Sequence, residues 1–85
     1  NEIQISQSDS IFNFADDLVI STKVLAKLML DEEINSLNYN IETVNKIVYI
    51  IGISSSIEEK QKAIDLSKEV FGVEEVIDYI TIKSE

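Results

Sequence analysis

The 85-residue chain has no cysteine, histidine, arginine, tryptophan or proline, and only two glycines. Without a thiol or an imidazole, a cysteine nucleophile, a histidine general base, a disulfide and the ordinary zinc sites are all excluded. Without arginine, bidentate readout of phosphate or of a guanine edge is excluded too. Positive charge is scarce: seven lysines stand against sixteen acidic residues, for a net charge of -9. Phosphate backbones need clustered cations, so no nucleic-acid partner is expected. No apolar run approaches the roughly 20 residues that a membrane-spanning helix needs. The longest block, Ile47 to Ile51, has the length of a strand and is closed by Gly52. These parts suit an enzyme poorly, and no catalytic residue, cofactor or metal site is expected.

What remains is the material of one small folded domain. Apolar residues are 45% of the chain and charged residues 27%, a balance too apolar for disorder. The length leaves no room for a second full core. Residue 1 is not Met and no signal peptide opens the chain, so it reads as a mature or excised piece.

Alternation in Glu2-Ile3-Gln4-Ile5-Ser6 fits a short strand, followed by a polar connector to residue 15. Asp16 or Asp17 then suits a helix N-cap. At 100° per residue, Ile20, Val24 and Leu28 form one inward stripe. Leu18, Leu25 and Met29 lie on a neighbouring stripe, with Val19, Ala26 and Leu30 beyond it, and only Lys23 and Lys27 give a charged flank. The helix is more apolar than a one-sided surface helix requires.

Asp31-Glu32-Glu33 closes that segment, and Asn35 to Asn38 reads as a loop. Tyr39 to Val44 alternates, Asn45-Lys46 sits where a two-residue hairpin turn belongs, and Ile47 to Ile53 makes the second strand. With Val48 and Ile50 facing the helices, Ile47, Tyr49 and Ile51 face away. Ser56 and Glu59 have the spacing of a capping box. In the helix that follows, Ile57, Ala63, Ile64, Ser67, Val70 and Phe71 are expected to share a face, and Gly72 to end it. Val73 to Ile82 is the last strand. The expected fold is α+β in the order helix-strand-strand-helix-strand, with two helices on one face of a three-stranded mixed sheet.

The acidic groups Asp16-Asp17, Asp31-Glu32-Glu33, Glu58-Glu59 and Glu74-Glu75 fall at element starts and in loops. Adjacent carboxylates diverge, and no calcium-loop spacing links them, so capping and solvation account for them. Ser54, Ser55 and Ser56 have no base to activate them and read as caps. Gly52 stands between a strand and a helix without the further glycines of a phosphate loop. A bulge or a tight strand exit accounts for it.

Three stretches resemble the BON domain, named after bacterial osmotically inducible and nodulation proteins. Asp17-Leu18-Val19-Ile20-Ser21-Thr22-Lys23-Val24 with Leu28 and Asp31 is similar to its opening helix. Ile41 through Gly52 is similar to its central hairpin, and Glu59 to Val76, with Gly72-Val73 and Val76, to its second helix and last strand. Lys46 departs from the glycine usual in the family's hairpin turn. The resemblance covers residues 16 to 83 and implies the same fold order, no catalysis, and phospholipid binding in the bacterial envelope. It implies a periplasmic location, associated with the outer membrane in the full-length protein. The nearest likeness is to the second domain of dual-BON lipoproteins. Residues 1–15 would then be the end of a preceding domain plus a linker, and residues 16–85 the BON-like domain. Val19 falls where the family can carry an aromatic membrane anchor.

The apolar surplus and the resemblance together assign Leu18, Val19, Thr22, Lys23, Ala26, Met29 and Leu30 to an anionic phospholipid membrane. Ile47, Tyr49 and Ile51 are the alternative surface, for a sister BON domain or an envelope protein.

Overall fold

The computed structural model describes the backbone of residues 2–83 and the side chains of residues 16–83. Its first helix, α1, runs Glu2–Leu30. The strand expected at Ile3 to Ile5 is therefore helical, and Asp16 and Asp17 are interior residues rather than an N-cap. The reason is local: no proline or glycine stands before residue 52 to interrupt a helix. A lone strand would also leave its backbone groups without a ladder, whereas a helix pairs its own.

A single 3-10 turn, Ser36–Asn38, follows, with Asn35 capping it by accepting from the Leu37 amide. Strand β1 is Tyr39–Val44, β2 is Ile47–Ser54, helix α2 is Ile57–Lys68, and β3 is Glu75–Ile82. β2 is central, antiparallel to β1 and parallel to β3. A parallel neighbour requires a crossover, and α2 supplies it. The expected element order and mixed sheet are the ones found.

Ile20, Val24 and Leu28 on α1 pack over Val48 and Ile50 of β2, joined by Ile34, Tyr39, Ala63, Val70 and Ile80. On α2 the inward face is Glu59, Ala63 and Ser67. Ile57 is exposed instead, because at 100° per residue it lies about 120° round the helix from the centre of that stripe. Phe71 is exposed because α2 has already ended at Lys68. The helical count no longer applies to it. β2 also continues through Gly52 to Ser54, so that glycine is inside the strand and not its exit. A Cβ there would come 2.1 Å from the Asn38 carbonyl oxygen.

The hairpin turn has both central residues at positive φ, 51° at Asn45 and 66° at Lys46. That is the type I′ geometry whose twist matches the strands. Asp17 holds it: its Oδ2 accepts from the Asn45 amide at 2.9 Å and its Oδ1 from the Lys46 amide at 2.9 Å. The carboxylate thus works as a cap, but on a turn 28 residues away in sequence. Ser21 and Thr43 bond 2.6 Å apart beside it. Asp17→Ala is expected to lower stability by about 1–2 kcal/mol, the range for charged hydrogen bonds at a partly exposed site. Thermal denaturation followed by circular dichroism measures it, and an unchanged midpoint would show that the turn holds itself.

Candidate functional site

The seven side chains assigned to the membrane surface are all exposed on α1: Leu18, Val19, Thr22, Lys23, Ala26, Met29 and Leu30. At 100° per residue they occupy an arc of about 140°, opposite the buried stripe. Leu30 is 84% exposed and Met29 64%, far above what a core-facing role would leave. The apolar surplus of the helix is therefore on the outside. Lys27 does not join this surface as a free cation, since its ammonium lies 3.5 Å from Glu69. Lys23 makes no ion pair among the described residues.

A shallow groove extends the surface sideways. Val19 and Lys23 of α1 line it on one side, Lys46 of the hairpin turn and Phe71 of the α2–β3 connection on the other. Gly72, at φ 97°, lets that connection lie against Ile20, whose Cδ1 would be 3.3 Å from an added Cβ. Phe71, at 92% exposure, is left with its ring in solvent. The sequence pattern assigned Phe71 to the core. No local signal placed it, since a helix ending at Gly72 keeps Phe71 in its count, whereas α2 has its C-cap at Glu69.

The outer face of the sheet is the other open surface. Tyr49 and Ile77 are partners across β2 and β3, as are Ile51 and Tyr79. Ile47 and Tyr49 are half-buried, whereas Ile51, Ile53 and Tyr79 are exposed. Both helices lie on the opposite face, so no element of residues 16–83 covers this row.

The serines and carboxylates are engaged in structure. Ser56 caps α2 by accepting from the Glu59 amide at 3.0 Å. Glu59 does not close the box on Ser56; it turns inward and is only 7% exposed. Its carboxylate accepts from Tyr39 Oη at 2.8 Å, Ser55 Oγ at 2.5 Å, and the amides of Ser55 and Asn35. Burial alone would push this carboxyl up, but the four donors outweigh it and hold it below the ordinary glutamate range. Ser54 Oγ donates to the Ser56 carbonyl at 2.7 Å. Asp31 is also held down, first by the Glu33 amide and then by Lys62. Lys62 is raised by Glu33 and Asp31, to both of which it is paired. The spacing Glu59-Ala63-Ser67 was the visible signal that Glu59 faces inward, since it shares their i, i+4 stripe. No cluster of metal-ligating side chains occurs among the described residues. None of their helices is long and apolar enough to cross a membrane.

Two helices on one side of a mixed three-stranded sheet, with an apolar helix face and an apolar sheet face both open, define a small α+β module. The model of the BON domain matches residues 16–84, and the chain belongs to that family. It is 37% identical over 84 residues to a protein of Anaplasma centrale described as "uncharacterized protein in gshII 5'region", covering 98% of this chain and 56% of that one. It is 31% identical over 78 residues to osmotically-inducible protein Y of Escherichia coli (strain K12), covering 92% of this chain and 39% of the relative. The chain thus spans about half or less of the length of these curated relatives.

Proposed function

We propose that this domain is a non-catalytic, phospholipid-binding module of the bacterial envelope, docking peripherally on anionic membrane through the outer face of α1. The observation that carries the reading is the exposure of Leu18, Val19, Met29 and Leu30 on one face while the opposite stripe is fully covered. An amphipathic helix of this kind lies in the interface plane with its apolar side in the headgroup boundary. Lys23, at the edge of that face, neutralises anionic lipid headgroups. The net charge of -9 opposes approach, so binding is weak, and the local attraction between Lys23 and the headgroups is the part that salt screens. The module works in the periplasm at the outer membrane, and residues 1–15 lead into it from a preceding BON domain. A lipid anchor or a neighbouring domain elsewhere in the full-length protein supplies avidity that one weak surface lacks. The name of osmotically-inducible protein Y fits a role in envelope stress.

Proton–nitrogen NMR titration with anionic and with zwitterionic micelles tests the reading. Shifts centred on residues 18–30, seen with anionic lipid and reduced by salt, are expected. Silence with both lipids overturns it.

The open sheet face favours a second reading, in which Ile47, Tyr49 and Ile51 pack on a sister BON domain or an envelope protein. The relatives' extra length leaves room for such a domain. Shifts along β2 on mixing with the preceding domain, with α1 silent to lipid, would favour it.

A further inference from the structure

Among the described side chains of α1, residues 16–30, none is aromatic. We infer that Phe71, in the connection between α2 and β3, enters the interfacial region of an anionic phospholipid bilayer beside Val19, with Lys23 and Lys46 holding the headgroup phosphates. This rests on the membrane reading of α1 and adds to it a second element of the chain.

Three observations converge on the groove. First, Phe71 is 92% exposed, a ring wholly in water with no role in the core. An aromatic side chain is the residue type that settles at the headgroup level of a bilayer. Second, the ring lines the same groove as Val19, so it continues the apolar arc of α1 and is not an isolated exposed residue. Gly72 fixes this placement: its positive φ and its contact with Ile20 bring the connection down onto the helix. Third, Lys23 and Lys46 line that groove too, and neither is ion-paired among the described residues.

The charges around the groove favour a bilayer as its occupant. Lys27, Lys60 and Lys62 are each within 4 Å of a carboxylate, so their charge is already answered. The groove brings two unanswered ammonium groups together with two exposed apolar side chains, and Asp16 is the one carboxylate on its rim. An acidic lipid surface offers both complements at once: phosphates for the lysines, and an acyl boundary for Phe71 and Val19. A soluble anion would answer only the lysines. Lys46 also explains itself here. The hairpin turn forces it to φ 66°, where glycine is the usual choice, yet a side chain is kept that reaches this groove.

Sedimentation with vesicles of phosphatidylglycerol and phosphatidylcholine tests the inference, using the 85-residue chain. Phe71→Ala is expected to raise the lipid concentration for half-binding about five-fold, a little under the factor of ten that corresponds to 1.4 kcal/mol. Lys46→Gln is expected to weaken binding about three-fold to anionic vesicles and not to pure phosphatidylcholine, in line with one surface cation. The chain has no tryptophan, so Phe71→Trp gives a single reporter whose emission shifts to the blue on anionic vesicles. Ile57→Trp is the control: it is exposed at the far end of α2, about 18 Å along the helix, and its emission stays unchanged.

The outcomes separate the two readings. If Leu18→Ser with Met29→Ser abolishes vesicle binding while Phe71→Ala binds as the parent does, the α1 surface stands and the anchor role of Phe71 is overturned. If the parent chain binds neither vesicle, both readings fall. An equal blue shift at residues 57 and 71 overturns the anchor as well, because it would reflect adsorption without orientation.

Discussion

Gly52→Ala is expected to remove most of the stability of this domain, about 4 kcal/mol or more, placing it with the severe backbone clashes among point changes. An added Cβ would stand 2.1 Å from the Asn38 carbonyl oxygen, 2.9 Å from Tyr39 Cα and 3.1 Å from the Asn38 carbonyl carbon. All three are backbone atoms, so no rotamer change relieves the overlap. Neither can β2 move aside. Gly52 is paired with Tyr39 on one edge and with Ile80 on the other, and both partners belong to the core. A domain of this length has only about 4–13 kcal/mol to lose at the usual 0.05–0.15 kcal/mol per residue. Urea denaturation followed by circular dichroism measures the change. A midpoint within 0.5 M of the parent, against slopes of about 1–3 kcal/mol/M in urea, would show that the 3-10 turn before β1 yields easily. Gly72→Ala should be much milder. Its Cβ meets only the end of the Ile20 side chain, and the cost is chiefly the φ of 97°.

The contrast between the two glycines shows what the sequence could and could not tell. Gly72 follows a helical pattern, so its positive φ is a local property and legible, although α2 ends earlier, with Glu69 as its C-cap. Gly52 is required by a contact with Asn38, fourteen positions earlier, which no local pattern carries. The same division runs through the rest of the chain. Ile20, Val24 and Leu28 were legible as the inner stripe of α1 because a period of 3.6 is written in the spacing itself. The inward and outward rows of β2 were legible because strand parity is equally local. Asp17 was read as a helix cap because that is the commonest local use of an aspartate before an apolar run. Its actual partners, the amides of Asn45 and Lys46, come from the tertiary fold. Phe71 and Ile57 were misplaced by extending helical periodicity past one end of α2 and by centring its face on the wrong stripe. Of the open surfaces, the α1 residues were legible from their apolar excess. Phe71 and Lys46 join them only through folding.

Glu59 carries the second large effect, and its sign with pH can be worked out. Glu59→Ala is expected to cost about 3 kcal/mol or more, since each buried donor left without its partner costs about 1–3 kcal/mol. The loss strands the Tyr39 hydroxyl, the Ser55 hydroxyl and the amides of Ser55 and Asn35, all of which now donate to one carboxylate. Glu59→Gln keeps the shape but offers an NH2 group where donors converge, and should cost about 2–3 kcal/mol. In the parent, the folded carboxyl lies below its unfolded value. As pH falls, the unfolded chain therefore takes up the proton first. The contribution of Glu59 is whole above the ordinary glutamate range, declines as pH falls through it, and is gone once the folded carboxyl is protonated. Asp31 is lowered as well, but it titrates alike in parent and Gln variant, so the difference between their stability curves isolates Glu59. Tyr39 sets the opposite flank. Burial raises it above its ordinary value, against a lowering bond from Ser54 and with Glu59 adding to the rise. Its stabilisation is whole below the ordinary tyrosine range and is lost as pH climbs through its raised folded value. The parent should thus be most stable between these ranges, and Glu59→Gln should be flatter on the acid side. Urea midpoints measured across pH 3 to 11 test this. Parallel curves for the two proteins as pH falls through the glutamate range would mean that the four donors find water as readily as they find the carboxylate.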